Sequence, residues 1–271
     1  MLPETMPVCP VRGSVIYPTM VMPIDAGRPI SIRAIDEALA RDRVLLIVSQ
    51  RDKEVETPRP SDLFEVGTAC NILKMRKNPD GSVQVLVQAF ARVRVREWLD
   101  LGDHLEARGE VLADEPGEPI LVKALVREVK DKFQALLKEG KYLAPEVAQF
   151  ILNLEDPSQL ADYVAFHMDF RLEDKQKVLE TANVAERLRA VLVLLEAELA
   201  LIETQRRIQQ QVKEEIDRNQ REYFLREQMK AIQRELHGEE GEQEVEEFRR
   251  KLEALDLPPV VRQEAERELN R

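Results

Sequence analysis

Three histidines (His104, His167, His237) and two cysteines (Cys9, Cys70) are the residues of this 271-residue chain best suited to metal or nucleophilic chemistry. Their spacing supports neither. The histidines lie far apart, with no H-E-x-x-H or Cys-x-x-Cys arrangement that would bring ligands to one point. Two cysteines do not make a disulfide framework, and reduced thiols in a cytosolic chain are the reading that fits. Acid pairs such as Glu214/Glu215 occur in polar, helix-forming sequence, where a run of charge reads as a solvated face. A carboxylate pair working on a substrate would need a pocket around it. No G-x-x-x-x-G-K-[ST] run is present to cradle phosphates. No catalytic residue, metal site or cofactor site is therefore expected in this chain.

Binding residues are easier to find. The stretch Val15, Ile16, Tyr17, Pro18, Met20, Met22 and Pro23 is apolar, and its two prolines interrupt regular strand pairing. Met and Tyr suit adaptable contact with varied apolar segments. Either some of these side chains face water as a recognition surface, or alternate ones fill a core. Met75, Leu86 and Phe90 form a second candidate patch with the same two readings. Arg92, Arg94 and Arg96 could line up as a basic stripe for nucleic acid, or pair with acids. The net charge of −11 argues against nucleic acid as the main partner.

These residues need elements to hold them. Val8–Val11, Met20–Ile24, Val44–Val48, Val66–Met75, Val83–Val87 and Val93–Glu97 read as short strands. Asn78-Pro79-Asp80-Gly81 predicts a hairpin between two of them. One helix with the stripe Ile32, Ile35, Leu39 interrupts the strands, an arrangement that suggests a small, partly closed barrel. The loop Asp114 to Pro119 marks a change of period. Leu121, Leu125, Val129, Phe133 and Leu136 predict a helix ending near Gly140. Shorter helices follow over 144–152, from Pro157 behind an Asp156 cap, and over 173–180.

From Ser158 to His237 there is neither Gly nor Pro, and from about Val184 one continuous helix is predicted, capped at Asn183 and ended at Gly238. A helix of roughly fifty residues is about 80 Å long, more than one compact core can bury. Leu188, Leu192, Leu195, Leu199 and Ile202 form a docked stripe, Ile208, Val212 and Ile216 lie in polar sequence, and Tyr223, Phe224, Leu225, Met229, Ile232 and Leu236 restore apolar character. These last residues pack either on following helices or on neighbouring subunits. Short helices are expected over 245–255 and from Val260, and the unfinished one at the C-terminus suggests a longer parent protein. No apolar run reaches the about 20 residues that cross a bilayer, and no secretory signal opens the chain; a soluble, cytoplasmic protein is expected.

PVRGSVIYP at Pro10–Pro18, then Met20-Val21-Met22-Pro23 and Gly27-Arg28-Pro29, resembles the opening of bacterial Lon proteases. Val66-Gly67-Thr68, the PDGSVQVLVQ hairpin and ARVRV are similar too, as are REYFLREQMKAIQREL at 221–236 and LPPVVRQEAERELNR at the end. Ala89 stands where the family more often has Gly, which bears on the local backbone bend. The resemblance covers essentially the whole chain. It implies the N-terminal region of an ATP-dependent serine protease that assembles as a hexamer, with ATP, Mg and the Ser–Lys dyad belonging to parts this chain does not contain.

The fold class expected is α+β: a β-rich, PUA-like pseudo-barrel lobe with one helix (1–115), a helical bundle (116–183), a long projecting helix (184–237) and short helices (238–271). The function expected is capture of unfolded or damaged proteins for degradation, together with support of assembly. Its expected client contacts are Tyr17, Pro18, Met20, Met22, Pro23, Met75, Leu86 and Phe90. Its expected inter-subunit contacts are Tyr223, Phe224, Met229, Ile232 and Leu236. A purely structural oligomerisation or spacer module, and a small-ligand or nucleic-acid-binding barrel, are the alternatives. No membrane partner is expected.

Overall fold

The computed structural model describes residues 2–139, 143–255, 261, 262 and 265. It divides into two compact units, residues 1–202 and 203–271.

In the first unit a six-stranded sheet is built from β1 (Met6–Val11), β2 (Val21–Ala26), β3 (Val44–Ser49), β4 (Val66–Lys77), β5 (Val83–Asp100) and β6 (Leu105–Val111), with α1 (Pro29–Ala40) before β3. The strand order is β2-β5-β4-β3-β1-β6, and β5 pairs β6 as well, which closes the sheet partly on itself. β1 and β3 are parallel, and the connection between them carries α1. The hairpin at 78–81 forms as its residues predict. Gly81 takes φ +85, and the Asp80 carboxylate accepts from the Ser82 backbone N–H and hydroxyl.

Two strand expectations change. The segments 83–87 and 93–97 are one 18-residue strand, β5. It stays continuous because bulges bend it. Ala69 faces Ala91 and Cys70 faces Ala89, which leaves Phe90 unpaired. Ile72 faces Val87 and Lys74 faces Leu86, which leaves Leu73 unpaired on β4. Such extra residues increase local twist and re-aim a side chain. β6, unforeseen, is rich in charge, and its apolar alternation is weak. Ala89 keeps an ordinary negative φ: its N–H donates to Met20 O and its carbonyl accepts from Thr19 N–H, so the bend there needs no glycine.

The helices are α2 (Pro119–Lys138), α3 (Pro145–Leu152), α4 (Pro157–His167), α5 (Leu172–Glu180) and α6 (Val184–Glu253). Proline opens α1 to α4, where its missing N–H costs nothing. Asp156 accepts from the Ser158 and Gln159 N–H groups, and Asn183 from those of Ala185 and Glu186. Gly140 lies outside the described residues. Leu125, Val129, Phe133 and Leu136 pack with Leu160, Val164, Leu188, Val191 and Leu195 into one core. A second core fills the space between α1 and the inner sheet face, around Ile35, Leu45, Ile72, Val85 and Val87.

In the second unit α6 continues from Glu203, and residues 203–235 are exposed on every face. The expected stop at Gly238 does not occur. The helix runs through Gly238 and Gly241 to Glu253, absorbing the predicted 245–255 segment. Each glycine costs a helix about 1 kcal/mol, which the surrounding run of Glu and Gln can offset. Of the helix predicted from Val260, only residues 261, 262 and 265 fall within the described residues. The side chains of 236–245, Leu236 and His237 among them, also lie outside what is described.

Candidate functional site

The loop before β2 turns inward. Tyr17 is wholly buried, and its hydroxyl donates to Lys175 O at 2.8 Å. With Val15 and Met20 it joins the core shared with α2, α4 and α6. Burial pushes its hydroxyl pKa well above the ordinary value; the charge of Asp162 adds to the rise, and Arg92 and Arg187 oppose it. Ile16 and Pro18 are buried as well. Tyr17, Pro18 and Met20 are therefore core, and the recognition reading fails for them. The physical reason is that the bundle supplies an apolar floor beneath the proline-interrupted loop, and burying Tyr and Met there removes large apolar area from water.

Further along, the strand alternation separates the remaining candidates. Met22 pairs with Val87 and packs half-buried on the inner core. Pro23 pairs with Leu86 on the opposite, outer face, where Pro23 is exposed and Leu86 half-buried. Met75 is 37% exposed, but its partner is Val85, so it does not share the face of Leu86. Phe90, 37% exposed, is the bulge residue of β5. Pattern reasoning missed two neighbours. Val21, 54% exposed, alternates with Pro23 along β2. Leu73, 42% exposed, is the bulge residue of β4. Period two locates Val21, whereas nothing in the residues marks the bulge at Leu73.

Across the outer face the rows run Asn71–Gln88–Val21, then Lys74–Leu86–Pro23, then Arg76–Gln84–Asp25. Leu86 and Pro23 are the apolar part of its central row, with Lys74 beside them. Gln84 donates to Asp25 at 2.8 Å, which closes one end. The same strands bury Ile72, Val85 and Val87 behind it, so backbone and inner core hold the face rigid.

Beside this face lies a buried charge cluster. Nη2 of Arg92 donates to both Asp162 oxygens, at 2.5 and 2.6 Å, and its Nε donates to Leu179 O. Arg187 donates to Asp114 at 2.6 Å and to the Ser158 hydroxyl at 2.7 Å. Burial pushes the Asp162 carboxyl up to about 6 against the pull of Arg92 and Arg187. Asp114 is held below its usual range: burial opposes this, and the Arg187 and Ser158 hydrogen bonds with both guanidiniums prevail. Arg96, a third bulge residue, pairs with Glu110. With Arg92 buried and Arg96 paired, the three arginines form no basic stripe.

Cys9, Cys70, His104 and His167 have the following surroundings. Cys9 and Cys70 are buried free thiols; burial raises both, Cys9 to about 11, which suppresses thiolate. His104 sits between Asp103 at 2.7 Å and Glu106 at 3.3 Å. His167 stacks beside Tyr163 and meets Phe166 edge-on, and burial lowers its pKa. On α6, Tyr223, Phe224, Leu225, Met229 and Ile232 are all exposed.

Comparison with known proteins adds the following. Residues 5–197 match the ATP-dependent protease La (LON) substrate-binding domain. The chain is 38% identical over 267 residues to Lon protease of Brevibacillus choshinensis, and 42% identical over 270 residues to Lon protease 1 of Thermus thermophilus. In both cases the match covers 98% of this chain and 34% of the relative, so the chain spans about a third of the length of these relatives. The N-terminal domain of Mycobacterium avium complex Lon protease superposes with a TM-score of 0.59 at 27% identity, over 71% of this chain and 98% of that one.

Proposed function

The chain belongs to the Lon protease family, and from that premise we propose that it captures unfolded or damaged proteins for an ATP-dependent serine protease. The observation that carries this reading is the outer face of β2, β5 and β4, where Val21, Pro23, Leu73, Leu86 and Phe90 stay accessible on a rigid sheet. Apolar segments are buried in native proteins and exposed in damaged ones, so a fixed apolar face sorts the two without reading a sequence. Each contact is weak. In a hexamer, six such faces would raise the local concentration of client near the translocating ring. ATP and Mg would serve the ATPase module, and a Ser–Lys dyad the cleavage, both in the remainder of the longer protein. The setting proposed is the cytoplasm; among the described residues no helix is long and apolar enough to cross a membrane.

The test is binding of one protein in its unfolded and native forms. The unfolded form should bind and the native form should not. Val21→Ser with Phe90→Ser should weaken binding about tenfold, from the apolar area withdrawn, with a melting temperature close to that of the parent chain. Tyr17→Ser should instead cost about 3 kcal/mol of stability as a core truncation. Equal binding of native and unfolded protein would refute client selection.

A second reading has its own observation. The exposed apolar residues Tyr223, Phe224, Leu225, Met229 and Ile232 of α6 fit contact with the same helix in neighbouring subunits. Assembly support and client capture use different residues and are compatible.

A further inference from the structure

The outer sheet face has a polarity across its width. Lys74 follows the Leu73 bulge and shares a row with Leu86 and Pro23, and Arg76 shares the next row with Gln84 and Asp25. Both cations are exposed. None of the nearby acids pairs with either cation among the described residues. Asp25 accepts from Gln84, Asp80 from Ser82, and Asp36 lies 3.9 Å from Lys77. Among the described residues, neither the Lys74 ammonium nor the Arg76 guanidinium has an ion-pair or hydrogen-bond partner. An otherwise acidic chain, with a net charge of −11, thus borders its exposed apolar face with two cations that no carboxylate pairs among the described residues.

We propose that this face takes an extended polypeptide segment whose apolar residues are bordered by carboxylates, the apolar side chains lying over Val21, Leu73, Leu86 and Phe90 and the acidic ones over Lys74 and Arg76. The proposal rests on the client-capture reading above and names the class of client. Charge complementarity decides for this occupant. Two opposing electrostatic effects compete, the repulsion of an acidic segment by the whole chain and its attraction by the two cations. At about 0.15 M salt the screening length is about 8 Å, so distant acids are damped while charges in contact are not. The local attraction wins. Its size is that of exposed ion pairs, enough for selectivity and small beside the apolar term.

The experiment uses the 271-residue chain and two labelled synthetic peptides with the same Leu/Val/Phe core, one flanked by Asp and one by Lys, read by fluorescence anisotropy. At about 0.15 M salt the Asp-flanked peptide should bind about fivefold tighter. At about 1 M salt the two should converge. Lys74→Glu with Arg76→Glu should reverse the order, with an unchanged melting temperature showing that the fold survives. Equal binding of the two peptides, with both lost on Phe90→Ser, would overturn the carboxylate preference and leave client capture standing. Tighter binding of the Lys-flanked peptide would overturn the preference outright. Binding of neither peptide would remove capture by this face and this inference with it. A dimer that Phe90→Ser dissolves would mean that a second copy of the chain occupies the face, which also overturns the proposal.

Discussion

Arg92 and Arg187 are buried beside Asp162 and Asp114, and the two pairs of opposite charge balance. Balance of this kind adds little net stability, because two desolvated ions regain by attraction roughly what burial cost them. Removing one partner is another matter. Asp162→Ala leaves Arg92 buried with only Asp114 at 3.3 Å and the Leu179 carbonyl to meet it. Urea unfolding at pH 7 should show a loss of about 3 kcal/mol. Glu106 supplies a pH-dependent counterpart. Burial works to raise its pKa, but hydrogen bonds from Arg41 and His104 prevail and hold it below the ordinary glutamate value. A folded pKa below the unfolded one means that the unfolded chain binds the proton more tightly. The contribution is thus present above about pH 4.5 and lost as pH falls through the lower, folded value. The stability gap between the parent chain and Glu106→Gln should be open at pH 7 and should narrow as acid is added below about pH 4.5; a gap independent of pH would show that the charge contributes nothing.

At the scale of elements, close approach decides as much as charge. A Cβ built on Gly67 would stand 2.5 Å from the Ile47 carbonyl oxygen and 2.7 Å from a Val48 methyl, so β4 can lie against β3 only with glycine there. Gly67→Ala should cost about 2 kcal/mol, the scale of core overpacking, and thermal melting will read it. That contact gives a physical reason for the glycine in Val66-Gly67-Thr68. The helices were legible from period and caps: Asp156 and Asn183 cap where their residues predicted, and the 188–202 stripe is buried toward the bundle. The candidate face was legible only in part. Alternation in a strand says which residues share a face, not which face meets water, and that choice depends on what packs behind. Tyr17 and Met20 went inward because a helical core lay beneath them, while Leu73 and Phe90 stand at two bulges where the ladder skips a residue. Neither the helical floor nor the bulges are properties of the local sequence. The stop at Gly238 failed for a related reason. A glycine ends a helix only where the following residues prefer another conformation, and here helix-forming Glu and Gln surround it.

For the molecule as a whole, the question is whether α6 joins copies together. Residues 203–235 are exposed all round, and Leu225, Met229 and Ile232 recur at four-then-three spacing, the pattern of a helix that buries one stripe against a partner. Ile208, Val212 and Ile216 extend apolar contact toward Ile202 but lie among Gln, Arg and Glu, which weakens any continuous seam. Against association stands the net charge of −11, which makes two copies repel at long range. Salt removes the repulsion: the screening length falls from about 30 Å at 0.01 M to about 8 Å at 0.15 M, whereas apolar contact is little affected. Self-association through α6 should therefore strengthen with salt, the reverse of an assembly held by ion pairs. Light scattering on the 271-residue chain should show an average mass that rises between about 0.01 and 0.15 M salt. A version ending at Ile202, which retains the sheet and its buried cores, should stay monomeric throughout. Should the shortened chain associate just as strongly, the contact would lie on the first unit, and α6 would have to be read as a spacer.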